Sequence, residues 1–391
     1  MLLHVTDTSR PVQPHGAGDL SCGGDSREPT RQEKMCRRTS SLRMSINYNS
    51  NSSAQALGSS TLTPFLARVT TKLNESLPKG EVFNVYDYGC ATGGSSIAPI
   101  TAICDRIGDR KLRANMVDLP MNDWDVLRIT VEPQFPDVDF VYKPQSMYLP
   151  IANEGTVHLG YSSYAQHWLG DGAPIGLPEG AMWANQLPPG HQDRLVWEES
   201  SKRDWETLLA LRAREVVPGG FLVFHIQSSS SCGGLGEACA ATMQQAKLEM
   251  IADGEISVEQ ARKMVVPEYL KSPTEILASV TSGANQLLWS VEELQYKKLP
   301  CPLGEDLCGR SENDLGGDFA DKIIKQQIDM LRAFTDSSLE LALDSEQLET
   351  FWARAQRLAN GNPKKLEFDV MGTFIVLKRS SVSPVDHLIC A

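Results

Sequence analysis

The sequence predicts an α/β fold, in which a doubly wound and mostly parallel sheet carries an inserted helical cap. One observation is the order of buried strand, glycine-rich turn and helix in VFNVYDYGCATGGSSIAPITAICDRI, residues 82–107. This order is the opening unit of a parallel sheet. The other observation is that alternating strands and helices give way to mostly helical periodicity after residue 236.

The elements of the first half follow in order. Residues 61–77 predict a helix, because apolar side chains recur at helical spacing and Pro78-Lys79-Gly80 ends the segment. RANMVDLP predicts a second strand that ends at Asp118, and NDWDVLRITVEPQF predicts the helix after it. VDFVYKP predicts a third strand. The start of TVHLGYSSYAQHWL predicts a fourth.

The second half is predicted to close the sheet around a cap. SKRDWETLLALRARE predicts a helix and FLVFHI the strand beyond it, whereas IIKQQIDMLRAF and LETFWARAQRLA predict further helices. The alternating LEFDVMGTFIVLKR predicts a returning antiparallel hairpin. The sheet core is therefore expected over about residues 61–230 and 366–380, and the helical cap over about 236–360.

Composition limits the classes of function. The formal net charge is −12, and no run of five Lys or Arg residues occurs, so a nucleic-acid partner is not expected. No apolar run is long enough to cross a membrane, and the nine cysteines form no C-x-x-C pair. We expect a cytoplasmic protein with reduced thiols and no metal site. Residues 1–43, rich in Ser, Arg, Gly and Pro, predict a disordered tail.

The glycine turn alone does not identify a ligand. Gly89, Ala91 and Gly94 fit a loose G-x-A-x-x-G, which a nicotinamide or flavin enzyme also shows, and a turn that only packs helix on sheet remains open. Asp118, at the end of the second strand, is placed to accept hydrogen bonds from ribose hydroxyls. Asp87, just before the turn, suits a cationic ammonium group, which nicotinamide dinucleotides lack.

Four stretches together carry a resemblance to a known family. They are Y-x-x-N-S-x-x-Q from Tyr48, D-x-G-C from Asp87, D-L-P-x-N-D from Asp118 and S-S-Y-x-x-H-W-L from Ser162. The chain from about Met44 onward resembles the SABATH S-adenosylmethionine-dependent carboxyl methyltransferases, which act on salicylate, jasmonate and indoleacetate. The resemblance implies a Rossmann-like class I methyltransferase domain over residues 44–391, S-adenosylmethionine as cofactor, and a homodimer.

The resemblance also implies a cofactor site. Asp118 would hold the ribose, and Ser146 and Met147 would border the adenine. Gly94 and Ser95 stand where the family has Pro and Asn, and Met147 stands where it usually has Phe. The residues implied to contact the cofactor are Tyr48, Ser52, Asp87, Gly89, Ser95, Asp118, Leu119, Ser146 and Met147.

The same resemblance places the substrate. Gln55 and Trp168 would clamp the acid's carboxylate, and Tyr164, His167 and Tyr269 would line the pocket for its acyl part. The residue types suit the chemistry, because a carboxylic acid is already ionised at neutral pH and needs no general base. Neutral amide and indole N–H groups orient a carboxylate without neutralising it as strongly as Arg would.

Other interpretations stay open at the level of sequence. An N-methyltransferase of the xanthine or nicotinate type is the alternative enzyme. A non-catalytic cofactor-binding relative is suggested by the altered Gly94-Ser95 turn, and a nicotinamide oxidoreductase is the third alternative. Trp168 could be core packing and His167 a general base, although their positions in the motif favour pocket walls.

Overall fold

The computed structural model describes residues 53–171, 173–229, 237–299, 318–360, 362–366 and 370–381, and these residues form a seven-stranded sheet. The strands are β1 (Phe83–Tyr88), β2 (Leu112–Asp118), β3 (Asp139–Pro144), β4 (Val157–Ser163), β5 (Val216–Gln227), β6 (Trp289–Leu299) and β7 (Val370–Arg379). Their order across the sheet is β3-β2-β1-β4-β5-β7-β6. Strands β1 to β5 are parallel, and β7 runs antiparallel between β5 and β6.

Helices connect and cover these strands. They are α1 (Ser53–Ser76), α2 (Ile97–Ile107), α3 (Trp124–Val131), α4 (Gln192–Glu215), α5 (Glu237–Ala252), α6 (Val258–Lys263), α7 (Pro273–Thr281), α8 (Asn285–Leu288), α9 (Asp318–Leu339) and α10 (Ser345–Ala359). Short 3-10 turns lie at Gly94–Ser96, Glu132–Gln134, Ala184–Gln186 and Pro363–Leu366. The predicted strand-turn-helix unit is thus present as β1, the glycine turn and α2.

The sheet is buried on both faces. On one face Leu62 and Phe65 of α1 pack with Val85 of β1 and with α2, and on the other face α4 and α7 pack against Tyr86 and Tyr88 of β1. Successive side chains of a strand point to opposite faces, so a central strand between two helical layers must be apolar on both. The strands of the sheet therefore appear in the sequence as short apolar runs.

Three features of the fold differ from the sequence-based expectation. Helix α1 begins at Ser53, before the predicted start at residue 61. Residues 289–299, inside the segment expected as a helical cap, form the edge strand β6. The predicted C-terminal hairpin is wrong, because the described residues of LEFDVMGTFIVLKR supply a single strand, β7, whose partners β5 and β6 come from distant parts of the chain.

The edge position of β6 explains why its strand character was missed. Only one side of β6 pairs within the sheet, and its sequence WSVEELQYKKL is rich in charged residues. Charged side chains are common on edge strands, where they discourage pairing with another chain. Helical periodicity ahead of it ends at Leu288, where α8 ends. The rest of the expected division into core and cap stays a prediction, and the tail over residues 1–43 lies outside the described residues.

Candidate active site

A cavity opens at the carboxyl ends of the parallel strands, where ligands bind in doubly wound sheets. The turn after β1 and the end of β2 form one side of this cavity, and the segments after β3 and β4 form the other. Helix α9 reaches it with Phe334 and Ser337. Eight of the residues predicted to bind cofactor or substrate line this cavity together. They are Gly89, Ser95, Asp118, Leu119, Ser146, Met147, Tyr164 and Trp168.

Gly89 lets the turn approach the segment after β4 closely. Its φ of +85° lies in the left-handed region, and a Cβ atom at this position would lie 2.4 Å from Cβ of Ala165. Only glycine adopts this conformation without strain and leaves this space. The Gly89 N–H donates to the Val117 carbonyl at 2.8 Å, so the turn is also tied to the end of β2.

Asp118 fixes the same turn and faces the cavity. Its Oδ2 accepts from the Ala91 N–H and its Oδ1 from the Leu119 N–H, both at 2.7 Å. Burial raises the pKa of Asp118 to about 6, and these two hydrogen bonds oppose that rise. Two backbone donors leave acceptor capacity on the carboxylate. Asp118 can therefore hold the turn and still accept hydrogen bonds from a ribose.

Asp87 supports the glycine turn through buried hydrogen bonds and does not line the cavity. Its Oδ2 accepts hydrogen bonds from Ser96 Oγ at 2.6 Å and from Tyr161 OH at 3.1 Å. Burial is the main cause that raises the pKa of Asp87 to about 7, with a smaller contribution from the charge of Asp118. The carboxyl thus links the 3-10 turn that precedes α2 to β4.

The segment that carries Ser146 and Met147 is held by a buried ion pair that sequence reasoning missed. Arg212 of α4 donates to the carbonyls of Met147 at 3.1 Å and Leu149 at 2.8 Å, and to Glu215 Oε1 at 2.9 Å. The same Glu215 oxygen accepts from the N–H of Ile151 at 2.7 Å. The sequence offers only a weak signal for this pair, because Arg212 and Glu215 are two of many charged residues on α4.

Asn122 is a second site residue that was not predicted individually, although it belongs to the D-L-P-x-N-D motif. It lines the cavity, and its Nδ2 donates to the Ala91 carbonyl at 2.7 Å. Ala91 therefore has its N–H bound by Asp118 and its carbonyl bound by Asn122. The two side chains thus hold the peptide groups on both sides of Ala91, which has a positive φ of 46°.

Trp168 and Tyr164 occupy the part of the cavity after β4. Trp168 is half-buried, and its backbone carbonyl accepts from Tyr148 OH at 2.7 Å. Tyr164 has a positive φ of 58°, and its N–H donates to the His225 carbonyl at 3.0 Å. This unusual backbone turns the chain at the end of β4 and brings the aromatic residues against the cavity.

His167 and Tyr269 lie near the cavity but do not line it. Burial lowers the pKa of His167 to about 3, so its imidazole is neutral at physiological pH. Tyr269 points into a separate cavity of about 270 Å³, where its OH donates to Glu275 Oε1 at 3.0 Å. The position of the Tyr269 side chain does not support the acyl-pocket role that the resemblance implied.

The remaining predicted residues lie at the beginning of the chain. Tyr48 and Ser52 lie outside the described residues. Gln55 belongs to the first turn of α1, but its side chain is also outside the described part. Their assignments as cofactor contacts and as carboxylate clamp stay predictions.

The residues at the cavity fit a nucleoside cofactor. Asp118 offers a carboxylate with acceptor capacity left, and Ser95, Asn122 and Ser146 line the same cavity with further polar groups. Within the same part of the chain, no group of three or more His, Cys, Asp or Glu side chains could hold a metal ion.

Comparison with known proteins identifies the family. Residues 43–380 match the family described as SAM dependent carboxyl methyltransferase. The chain belongs to this family. It is therefore an S-adenosylmethionine-dependent carboxyl methyltransferase, and S-adenosylmethionine is its cofactor, as the resemblance of the four motifs implied.

Its relatives come from plants and fungi. The chain is 28% identical to methyltransferase LUC1 of Fusarium sp over 296 residues, which cover 70% of this chain and 76% of the relative. It is 26% identical to salicylate carboxymethyltransferase of Clarkia breweri over 249 residues, which cover 59% and 68%. The fold matches loganic acid methyltransferase solved with SAH, with a TM-score of 0.68 at 19% identity, over 87% of this chain and 97% of that one. The fold expectation is confirmed.

None of the helices in the described ranges is both long and apolar enough to span a lipid bilayer.

Proposed function

We propose that this protein transfers a methyl group from S-adenosylmethionine to the carboxylate of a small organic acid and forms the methyl ester. The observation that carries the proposal is that Trp168 lines the same cavity as Asp118, Leu119 and Met147. No Lys, Arg or His occurs among the described lining residues. The cavity therefore joins a nucleoside-binding end to an end where an indole can orient an acid. The substrates we expect resemble salicylate, benzoate, jasmonate or indoleacetate.

Bound S-adenosylmethionine supplies an electrophilic methyl group on a sulfonium. Transfer to a carboxylate oxygen would form the O–CH₃ bond as the S–CH₃ bond breaks, and S-adenosylhomocysteine would be the leaving product. The acid is ionised at neutral pH, so no proton has to be removed. Orientation of the oxygen toward the methyl group is then the main task of the protein, and proximity of this kind contributes up to roughly 7–11 kcal/mol.

The chain's own residues divide this task. Asp118, Leu119, Ser146 and Met147 are proposed to hold the nucleoside, and Trp168 is proposed to donate its indole N–H to the carboxylate, with Gln55 as the second donor. Neutral donors suit this role because a strong ion pair would stabilise the ground-state carboxylate and reduce its reactivity. Phe334 of α9 helps to close the cavity against water.

The test is transfer of a labelled methyl group from S-adenosylmethionine to a panel of aromatic, indolic, fatty and jasmonate-like acids, with purines and nicotinate included. We expect a base-labile labelled ester. Trp168→Ala and Gln55→Ala should lower acid turnover while sparing binding of S-adenosylhomocysteine, and Asp118→Ala should weaken that binding. Methylation of purines or nicotinate alone, or cofactor binding without any transfer, would overturn the proposal in favour of an N-methyltransferase or a binding protein.

We also propose where the enzyme is located and with which partners it associates. A cytoplasmic location is supported by Cys90, Cys104 and Cys239, which are free thiols. The net charge of −12 supports the absence of a nucleic-acid partner. The homodimer rests on the family resemblance alone, and sedimentation of the purified chain tests it.

A further inference from the structure

The segment that carries Trp168 is anchored by a charged side chain on each side of this residue. Lys271 Nζ donates to the Gln166 carbonyl at 2.7 Å, and Asp204 Oδ2 accepts from the Gly170 N–H at 2.8 Å. One of these backbone groups lies two residues before Trp168 and the other two residues after it. The two side chains thus hold the chain around the residue that is proposed to orient the acid.

Both anchors belong to parts of the fold outside this segment. Asp204 lies on α4. Lys271 lies between α6 and α7 and forms a parallel bridge with Ser228, the residue directly after β5. Neither Lys271 nor Asp204 lines the cavity of the candidate active site. Each can therefore influence a bound acid only through the backbone that it holds.

Each anchor is a buried group that meets a backbone group of opposite polarity. The exposed fraction is 2% for Lys271 and 9% for Asp204. Burial lowers the pKa of Lys271 to about 8, and the charges of Asp204 and Glu275 oppose this fall. Burial raises the pKa of Asp204, and the hydrogen bond from Gly170 and the charge of Lys271 oppose this rise. Hydrogen bonds to ionised groups are roughly twice as strong as neutral ones, so the two anchors resist displacement of the segment.

We propose that Lys271 and Asp204 are positioning residues for methyl transfer, which fix the backbone around Trp168 and thereby hold its indole toward the carboxylate of the acid. This role rests on the proposed function, and in particular on the proposed role of Trp168. Misplacement of a positioned group by about 1 Å can cost on the order of a hundredfold in rate. Loss of either anchor should therefore reduce turnover of the acid.

Matched substitutions separate the hydrogen bonds from the bulk of the side chains. Lys271→Met removes the donor, whereas Lys271→Arg keeps a charged donor, for which the cavity of about 270 Å³ beside Lys271 leaves room. Asp204→Ala removes the acceptor, whereas Asp204→Asn keeps an acceptor oxygen. Lys202→Met is the control, because Lys202 lines the same cavity as Lys271 but is exposed.

The measurements are kcat and KM for the acid of the panel that is methylated most efficiently, and the Kd of S-adenosylhomocysteine. We expect Lys271→Met and Asp204→Ala to lower kcat/KM for the acid by about ten- to a hundredfold and to leave the Kd of S-adenosylhomocysteine unchanged. Lys271→Arg and Asp204→Asn should keep most of the activity. Lys202→Met should have no effect.

A double-mutant cycle tests whether the anchors act through Trp168. Lys271→Met should cause little further loss of acid turnover in a Trp168→Ala background, because the group that it positions is already absent. General structural damage would instead multiply with the loss caused by Trp168→Ala. It would also weaken binding of S-adenosylhomocysteine and change the circular dichroism spectrum.

The two proposals fail differently. Unchanged kcat/KM in Lys271→Met and Asp204→Ala, or a loss in Lys271→Met that multiplies with that of Trp168→Ala, overturns the positioning role and leaves the methyltransferase proposal intact. Acids that bind to protein saturated with S-adenosylhomocysteine but are never methylated overturn the proposed function. Losses of their affinity that do not multiply in the same cycle would then support the positioning role. If no acid binds, both proposals are overturned.

Discussion

Asp87 shows how one buried residue makes stability depend on pH. Its pKa rises from 3.8 to about 7 because the folded protein removes the carboxyl from water. A raised folded-state pKa means that the native state binds the proton more tightly than the unfolded chain. The contribution of Asp87 to the free energy of unfolding is therefore largest below about pH 4 and is lost as the pH rises through about 7.

We expect the cofactor-free wild type to lose stability relative to Asp87→Asn as the pH rises from 5 to 8. An Asn amide can still bond to Ser96 and Tyr161, since hydroxyl groups both donate and accept. Urea unfolding of both proteins at several pH values measures this difference. A constant difference over the whole range would mean that Asp87 does not titrate there.

Sequence reasoning at the scale of single residues named eight of the nineteen described residues that line the cavity and missed the residues that support it. Asp118 and Trp168 lie in the motifs that carry the resemblance, and Ser146 and Met147 were implied by the resemblance itself. The structure brings all four to one cavity. The direction of the Tyr269 side chain could not be predicted, because a bridge between the neighbouring Glu268 and Trp168, about a hundred residues earlier in the chain, sets the backbone there. Periodicity within one segment carries no information about such a pairing.

At the scale of elements, the turn between β1 and α2 depends on close approach at Gly89. Gly80 has a similar φ of +82°, but no atom lies within 4 Å of a Cβ placed there. Both Gly→Ala substitutions impose the left-handed strain of about 1–2 kcal/mol. Only Gly89→Ala also forces a contact of 2.4 Å with Ala165, which adds about 1–3 kcal/mol.

We therefore expect Gly89→Ala to lower the free energy of unfolding clearly more than Gly80→Ala. It should also weaken binding of S-adenosylhomocysteine, whereas Gly80→Ala should not. Urea unfolding and calorimetric titration of the two variants give both quantities. Equal destabilisation by the two substitutions would show that the contact with Ala165 relaxes at no cost.

Helix α4 holds the segment of Ser146 and Met147, which is proposed to border the adenine, through its buried ion pair. Arg212→Met removes the donors to the Met147 and Leu149 carbonyls and leaves Glu215 buried without its cation. Removal of one partner of a buried pair costs about 3–5 kcal/mol. We expect this loss in urea unfolding, together with weaker binding of S-adenosylhomocysteine.

The double variant Arg212→Met/Glu215→Gln separates charge from positioning. It removes the uncompensated carboxylate, so it should recover much of the lost stability. It does not restore the donors to Met147, so cofactor affinity should stay low. Arg128→Met serves as the control, because Arg128 forms an exposed pair with Asp125 on α3. Full recovery of affinity in the double variant would contradict a positioning role for Arg212.

At the scale of the whole molecule, one cavity is shared by the sheet and by α9, which lies in the segment predicted as cap. Phe334 and Ser337 line the cavity, while Asp336 accepts from the indole N–H of Trp352 at 2.7 Å and thereby ties α9 to α10. The sequence predicted both helices, but nothing in their periodicity indicated that α9 turns toward the carboxyl ends of the strands. Occupation of the cavity should therefore stabilise sheet and helices together.

We expect S-adenosylhomocysteine to slow amide hydrogen exchange both in the turn after β1 and in α9 around Phe334. At a hundred times its Kd, a ligand adds about 2.7 kcal/mol to the free energy of unfolding. Phe334→Ala should weaken binding by about tenfold, as loss of a partly buried aromatic contact does. Leu341→Ala, at an exposed position beyond α9, should not. Slower exchange in the turn with unchanged exchange in α9 would show that the cofactor is held by the sheet alone, and that α9 closes only over the acid.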